Sequence, residues 1–314
     1  MDSRPASAES PMRGIFLKCL SVVVFVAMQT VIKAGGEGIP AGEIVFFRSF
    51  FALVPVVLYL AWLGDLRTAL KTDNLPAHIG RGLIGVTSMG LGFYALTRLP
   101  YPEWITITYG APPLTVVFAA VFLKEVVRLY RWTAALVGLV GIVVVTLPKL
   151  TLGGDAVDSA EAIGIIAAVI SAAVAAVAMI QIRRLVRTEK TATIVVYFSL
   201  TSSGIALFSI FFGWVLPTWE QAVLLIVAGL CGGVGQLLLT SAYRFADTST
   251  IAPFEYTSML LAIAIGYFAF DEAASSTTLV GAAIVISAGI FIIWREHQLG
   301  IERSKARRVT PPSG

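Results

Sequence analysis

The chain has 314 residues, of which 57% are hydrophobic and 13% charged, with a formal net charge of +4 and a mean hydropathy of +0.85. Soluble chains carry about 25% charged residues, so this sequence cannot cover a water-soluble globule of its size, and it is too apolar for a disordered chain. A polytopic membrane protein remains, and its basic residues, scattered between apolar segments, orient helices rather than forming a nucleic-acid surface.

A bilayer core takes about 20 mostly apolar residues per helix, and ten segments qualify. After a short polar tail the first runs over 13–33 and includes Gln29 and Cys19; it is too long for a signal-peptide core and no small-residue cleavage site follows, so it is expected to be a retained helix. The second, 41–63, holds Arg48. The third, 79–98, is rich in glycine (Gly80, Gly82, Gly85, Gly90, Gly92), which makes a helix thin on one side and suited to close packing or sliding. The fourth, 103–123, carries Trp104 near its start and is interrupted by Tyr109-Gly110-Ala111-Pro112-Pro113, where proline removes a backbone donor. The fifth, 130–148, is followed by the longest connection, 149–159.

The second half supplies 160–182, 192–216, 220–243, 249–270 and 275–294. Its third span carries Gly229, Gly232, Gly233, Gly235, Cys231 and Gln236, and its fourth carries Pro253-Phe254-Glu255-Tyr256-Thr257-Ser258. Alternating strands are absent, which argues against a barrel. The two cysteines form no metal or disulfide pattern.

Ten spans put both termini on one side. One set of loops holds nearly all of the 23 basic residues, with Lys18, Arg67, Lys71, Arg81, Lys124, Arg128, Arg183 and Lys190 among them; the other set holds only Lys33, Arg98 and Lys149. The positive-inside bias therefore predicts cytoplasmic termini in the inner (plasma) membrane. Arg48 and Glu255 are left as charges inside the spans.

The halves resemble each other. Laying 82–125 on 229–272 pairs Gly82 with Gly229, Gly85 with Gly232, Ala95 with Ala242, Tyr109 with Tyr256 and Glu125 with Glu272. Five spans per half is an odd number, so the second half enters the membrane from the opposite side, the inverted repeat of secondary transporters. The units are expected at 13–148 and 160–295, with cytoplasmic tails at 1–12 and 296–314. The fold class is all-α: ten transmembrane helices in two inverted five-helix repeats.

Phe46-Phe47-Arg48, the Gly-rich third and Pro-rich fourth spans, Lys124-Glu125, Gly138-Leu139-Val140-Gly141, and Phe270-Asp271-Glu272 with Gly281 and Gly289 resemble the EamA branch of the drug/metabolite transporter superfamily over about 13–295. Met12-Arg13-Gly14 through Lys33 and Gly42 through Arg48 are also similar to the bacterial riboflavin uptake members. The second and third spans are similar to the S-adenosylmethionine uptake members. The resemblance implies a basket of helices around a central cavity, alternating access, and fifth and tenth spans outside the transport core.

Polar groups within a membrane are costly and mark candidate sites. Glu255 is the foremost, as a binder of a cationic group or as the carrier of a coupling proton; a structural hydrogen-bonding role is the alternative. Arg48 would anchor an anionic group or bond backbone carbonyls. Tyr109 and Tyr256 would line the cavity, and with Trp104 and Phe254 could stack on a flat heterocycle, although Trp104 also suits an interface anchor. Gln29 and Gln236, with Thr87, Ser88, Ser202 and Ser203, offer uncharged hydrogen bonds. Glu125 and Glu272 are expected to cap the next helix.

His78 and His297 lie at or beyond span ends, no metal cluster or phosphate loop appears, and neither cofactor nor enzymatic chemistry is expected. The expected function is secondary transport of a small organic metabolite, with riboflavin uptake first, S-adenosylmethionine uptake or amino-acid or drug export as alternatives, and an intramembrane lipid-modifying enzyme as the competitor from another class. The bilayer and the substrate are the expected partners; a homodimer is left open.

Overall fold

A computed structural model of the chain describes residues 11–64, 66, 70–72, 74–123, 127–151, 159–185, 188–245 and 252–309. The described residues form helices and no strands, as a spanning backbone must when lipid offers it no hydrogen-bond partners. In chain order these are α1 (Pro11–Gly35), α2 (Ala41–Leu63), α3 (Leu75–Leu96), α4 (Tyr101–Thr108), α5 (Ala111–Leu123), α6 (Leu129–Thr151), α7 (Ser159–Leu185), α8 (Thr191–Leu207), α9 (Trp219–Phe245), α10 (Thr257–Phe270) and α11 (Ser276–Val309). Among the described residues nine helical segments, α4 and α5 counted together, are long and apolar enough to cross a membrane, and Phe254–Phe270 adds a shorter apolar helix.

Local chemistry sets the breaks. Gly64 closes α2 in the left-handed region (φ 72°), with its N–H on the Ala61 carbonyl. Asn74 caps α3 by accepting from Ala77 N at 3.3 Å, with Pro76 in the first turn. The fourth span divides at Tyr109-Gly110, ahead of Pro112 and Pro113, into α4 and α5. The ninth enters as a 3-10 turn, Ala252–Tyr256, before α10. The seventh is shorter as an α-helix than its expected 192–216: a 3-10 segment, Phe208–Phe212, ends at Gly213 (φ 86°), where the left-handed backbone stops the helix.

The pairing of helices carries the duplication. The first span packs on the eighth (α1 on α9) and the sixth on the third (α7 on α3), which are equivalent contacts across the halves. The second packs on the seventh (α2 on α8), the fourth on the ninth (α4 on α10), and the fifth on the tenth (α6 on α11), each a contact between equivalents. A pseudo-twofold relation between inverted repeats gives this pattern. The glycines permit it. A Cβ on Gly229 would meet the Phe47 carbonyl at 2.8 Å and one on Gly141 the Gly281 carbonyl at 2.9 Å, so these helices approach backbone to backbone; one on Gly82 would collide with the Thr201 side chain. Phe212, Leu216, Trp219 and Phe268 are among the many large apolar side chains left exposed, as lipid contact requires.

Candidate functional site

Eight of the ten spans enclose one cavity of about 420 Å³, within the usual range for small-molecule sites. Its α1 wall runs from Lys18 through Ser21, Val22 and Phe25 to Gln29, about 16 Å at 1.5 Å per residue. Arg48 (α2), Arg81, Gly85, Ser88 and Gly92 (α3), Trp104 and Tyr109 (fourth span), Ser171 and Met179 (α7), Phe198 (α8), Gln236 (α9), and Glu255 with Ser258 (ninth span) complete most of it. No residue of α6 or α11 borders the cavity; those two helices pack on each other at its flank.

The interrupted fourth and ninth spans meet at its edge. The Tyr109 hydroxyl donates to the Glu255 carbonyl and bonds Ser258 Oγ, so a carbonyl left exposed by the 3-10 turn finds a donor. The Glu255 carboxylate forms an ion pair with Lys18 Nζ, with side chains 24% and 3% exposed respectively. Lys18 therefore does not sit in a loop as its place in the charge count implied. It is buried in α1, and only the carboxylate side of the pair reaches open space.

Two further cations border the same space. Arg48 and Arg81 are 4% and 7% exposed, and their guanidinium carbons lie 5.7 and 4.2 Å from the centroid of one ring, Phe198. Arg81 also departs from its expected role as a loop charge, because α3 begins at Leu75 and carries it into the bundle. Arg48 Nε, and Arg81 Nε and Nη1, have no hydrogen-bond partner among the described residues.

The end where α1 finishes is sealed. Lys33 Nζ lies 2.9 Å from Glu272 Oε1 and donates to the Leu99 carbonyl at 2.7 Å. Glu272 Oε2 accepts from Tyr101 N at 2.6 Å, so this carboxylate caps α4 rather than the helix that follows it, because the chain reverses at Asp271 (φ 54°). Tyr101 is fully buried beneath and donates to Gln29 Oε1 at 3.0 Å. Glu125 lies outside the described residues.

The expected site residues thus divide. Glu255, Tyr109, Arg48, Gln29, Gln236 and Trp104 all border the cavity. Arg48 and Glu255 do so without pairing. Trp104 is no interface anchor: it is 5% exposed and its Nε1 donates to the Gly92 carbonyl at 2.8 Å. Tyr256 and Phe254 do not border it. The Tyr256 ring packs against Tyr109 at 5.3 Å and points toward Gly289 of α11, since neighbouring side chains on a helical turn point about 100–120° apart and Glu255 takes the cavity side. Glu255 is also not the only acid within the spans; Glu43 and Glu103 are 1% and 5% exposed.

Lys18, Arg81 and Phe198 went unrecognised in the sequence. A signal existed: Lys18, Ser21, Phe25 and Gln29 recur at helical spacing, as do Arg81, Gly85, Ser88 and Gly92. Counting basic residues by loop discards that phase. Among the described residues no group of three His, Cys, Asp or Glu could hold a metal ion.

Comparison with known proteins follows the same outline. The sequence profile of the EamA-like transporter family matches residues 12–147 and again 162–295. The S-adenosylmethionine uptake transporter of Rickettsia bellii is 29% identical over 91% of this chain and 94% of that protein. A pseudopaline exporter of Pseudomonas aeruginosa is 26% identical (88% and 94% covered), and a riboflavin transporter of Vibrio cholerae 25% identical (94% and 98% covered). One solved crystal structure aligns with a TM-score of 0.66 at 18% identity, covering 90% of this chain and 97% of that one, which is a likeness of fold.

Proposed function

Since the chain belongs to the EamA-like transporter family, we propose that it carries a small organic metabolite across the inner (plasma) membrane by alternating access, with both termini cytoplasmic. The observation that supports this most is the cavity of about 420 Å³ between the two repeats, lined by buried charges, with the Lys33–Glu272–Tyr101 contacts beyond its Gln29 end. With cytoplasmic termini, the sealed end is the outer one and the state is inward-facing. A rocking of one repeat against the other would break the outer ion pair and close the Lys18–Glu255 end. No phosphate loop is present to use ATP, so the driving force would be an ion or substrate gradient. Glu255 is the group proposed to carry a coupling proton or to meet a substrate cation, exchanging Lys18 for it.

The substrate reading is uptake of a metabolite with a flat ring system, which Trp104, Tyr109 and Phe198 would face. Riboflavin fits the aromatic walls. The charges favour a second reading, S-adenosylmethionine, because Lys18, Arg48, Arg81 and Glu255 suit a molecule bearing both a cation and an anion. Purified protein in proteoliposomes, loaded with unlabelled and presented with labelled riboflavin or S-adenosylmethionine, tests both. Counterflow of neither compound, with the protein shown to be folded, would remove this substrate reading.

A further inference from the structure

We propose that Arg48 and Arg81 form an oxyanion subsite in the cavity, which takes a carboxylate or phosphate group of the molecule that binds there. The inference deepens the transport reading above and rests on it for the identity of the cavity.

A guanidinium within a membrane span normally finds a carboxylate or backbone carbonyls, because an unpaired charge away from water is costly. Here two guanidiniums border one cavity, both more than nine-tenths buried. Their guanidinium carbons lie 5.7 and 4.2 Å from the centroid of one ring, close enough in a low-dielectric site for their like charges to repel. Arg48 Nε and Arg81 Nε and Nη1 find no acceptor among the described residues. The carboxylate that shares the cavity, Glu255, is engaged by Lys18. Phe198 offers both arginines a ring face, which attracts a cation but accepts no conventional hydrogen bond. An oxyanion would relieve the repulsion and supply the missing acceptors at once, in the planar geometry that guanidinium favours.

The fold also keeps space for the pair. Gly85 and Gly232 are equivalent positions of the two repeats. A Cβ on Gly232 would sit 3.0 Å from Arg48 Nε, and one on Gly85 would collide with Arg81 Nη1 and Phe198. Each repeat thus leaves a glycine-sized gap for one arginine.

Two matched pairs of compounds test the subsite: S-adenosylmethionine against its decarboxylated analogue, and riboflavin 5′-phosphate against riboflavin. Apparent affinities are read from the ligand-dependent unfolding temperature of the purified full chain. The oxyanion-bearing member of at least one pair should bind about tenfold or more tightly, and the pair that responds separates carboxylate from phosphate. Arg48→Gln and Arg81→Gln should abolish the preference, and Arg81→Lys should retain part of it. Should Arg48→Gln fail to fold, Gly232→Ala crowds the Arg48 guanidinium while keeping its charge and should weaken the same preference. Equal affinity within both pairs, a preference that survives the substitutions, or no binding by any of the four compounds would overturn the subsite. Uptake of the same compounds into proteoliposomes separates the two readings. An arginine-dependent binding preference without uptake counts against transport alone, whereas uptake that ignores the oxyanion counts against the subsite alone.

Discussion

Lys18 in α1 and Glu255 at the 3-10 entry to the ninth span, 237 residues apart in the chain, form an ion pair at the edge of the cavity. The ammonium is nearly sealed, and the carboxylate is about one quarter exposed on its side chain. Removing the carboxylate therefore leaves the more buried charge without this counter-ion. Glu255→Gln should lower stability by about 3 kcal/mol, the lower end for breaking a buried pair, read by chemical denaturation in detergent. Adding Lys18→Met should restore most of that stability and none of the uptake. Uptake that continues unchanged in the single variant would remove Glu255 from the transport cycle.

The opposite end offers a conformational test. Lys33→Met removes the ion pair to Glu272 and the bond to the Leu99 carbonyl, and it leaves the Glu272 cap on Tyr101 in place. With Cys19 and Cys231 replaced by alanine, a cysteine at position 29 should then react several-fold faster with a membrane-impermeant thiol reagent supplied from the outside. Equal labelling with and without Lys33 would show that this pair does not hold the outer side shut.

Tyr109→Phe separates hydroxyl from ring. The substitution keeps the packing against Tyr256 and removes the donor to the Glu255 carbonyl. Ser258 Oγ still donates to that carbonyl at 2.9 Å, so the loss is that of one hydrogen bond, about 0.5–1.5 kcal/mol, and the Glu255 turn should loosen. The expected result is a lower unfolding temperature together with a raised substrate KM; an unchanged KM would confine the hydroxyl to a structural role.

The contact between α6 and α11 predicts the reverse split. A side chain at Gly141 or Gly281 would press on the facing backbone, so Gly141→Val should destabilise by about 1–3 kcal/mol through overpacking. Neither helix borders the cavity, so the KM of the folded fraction should stay within about twofold. A large KM change would place the fifth and tenth spans inside the transport machinery.

Orientation is open to a direct check. A reporter fluorescent only in the cytoplasm should be bright when fused after Glu189 and dark after Gly213, and a periplasmic phosphatase reporter should show the converse. The opposite pattern would reverse the inward-facing assignment.

Much of this architecture was legible in the sequence. Ten apolar segments, an odd number per repeat, and the matched Gly82/Gly229, Gly85/Gly232 and Tyr109/Tyr256 positions follow from hydropathy and periodicity, because lipid imposes helices of nearly fixed length. The break at Tyr109-Gly110 was legible from the prolines behind it. What failed was the placement of individual charges. Lys18 and Arg81 lie near helix beginnings, and there a linear count cannot distinguish a residue facing the headgroups from one turned inward by the phase of its helix. Tyr256 failed for a related reason: neighbouring helical side chains point about 100–120° apart, and the rotation of the five-residue Ala252–Tyr256 turn, which the sequence does not announce, decided that Glu255 and not its neighbour would face the cavity.

The sequence by itself determined that this chain spans a membrane as an inverted duplication, because the cost of exposing backbone and charge to lipid acts locally on every segment. Only the tertiary structure decided which charges meet. Lys18 finds Glu255, Lys33 finds Glu272, and Arg48 lies beside Arg81 with no carboxylate paired to either among the described residues. Those pairings depend on helix rotation and on close approach at the glycines, which arise only when the two repeats pack together.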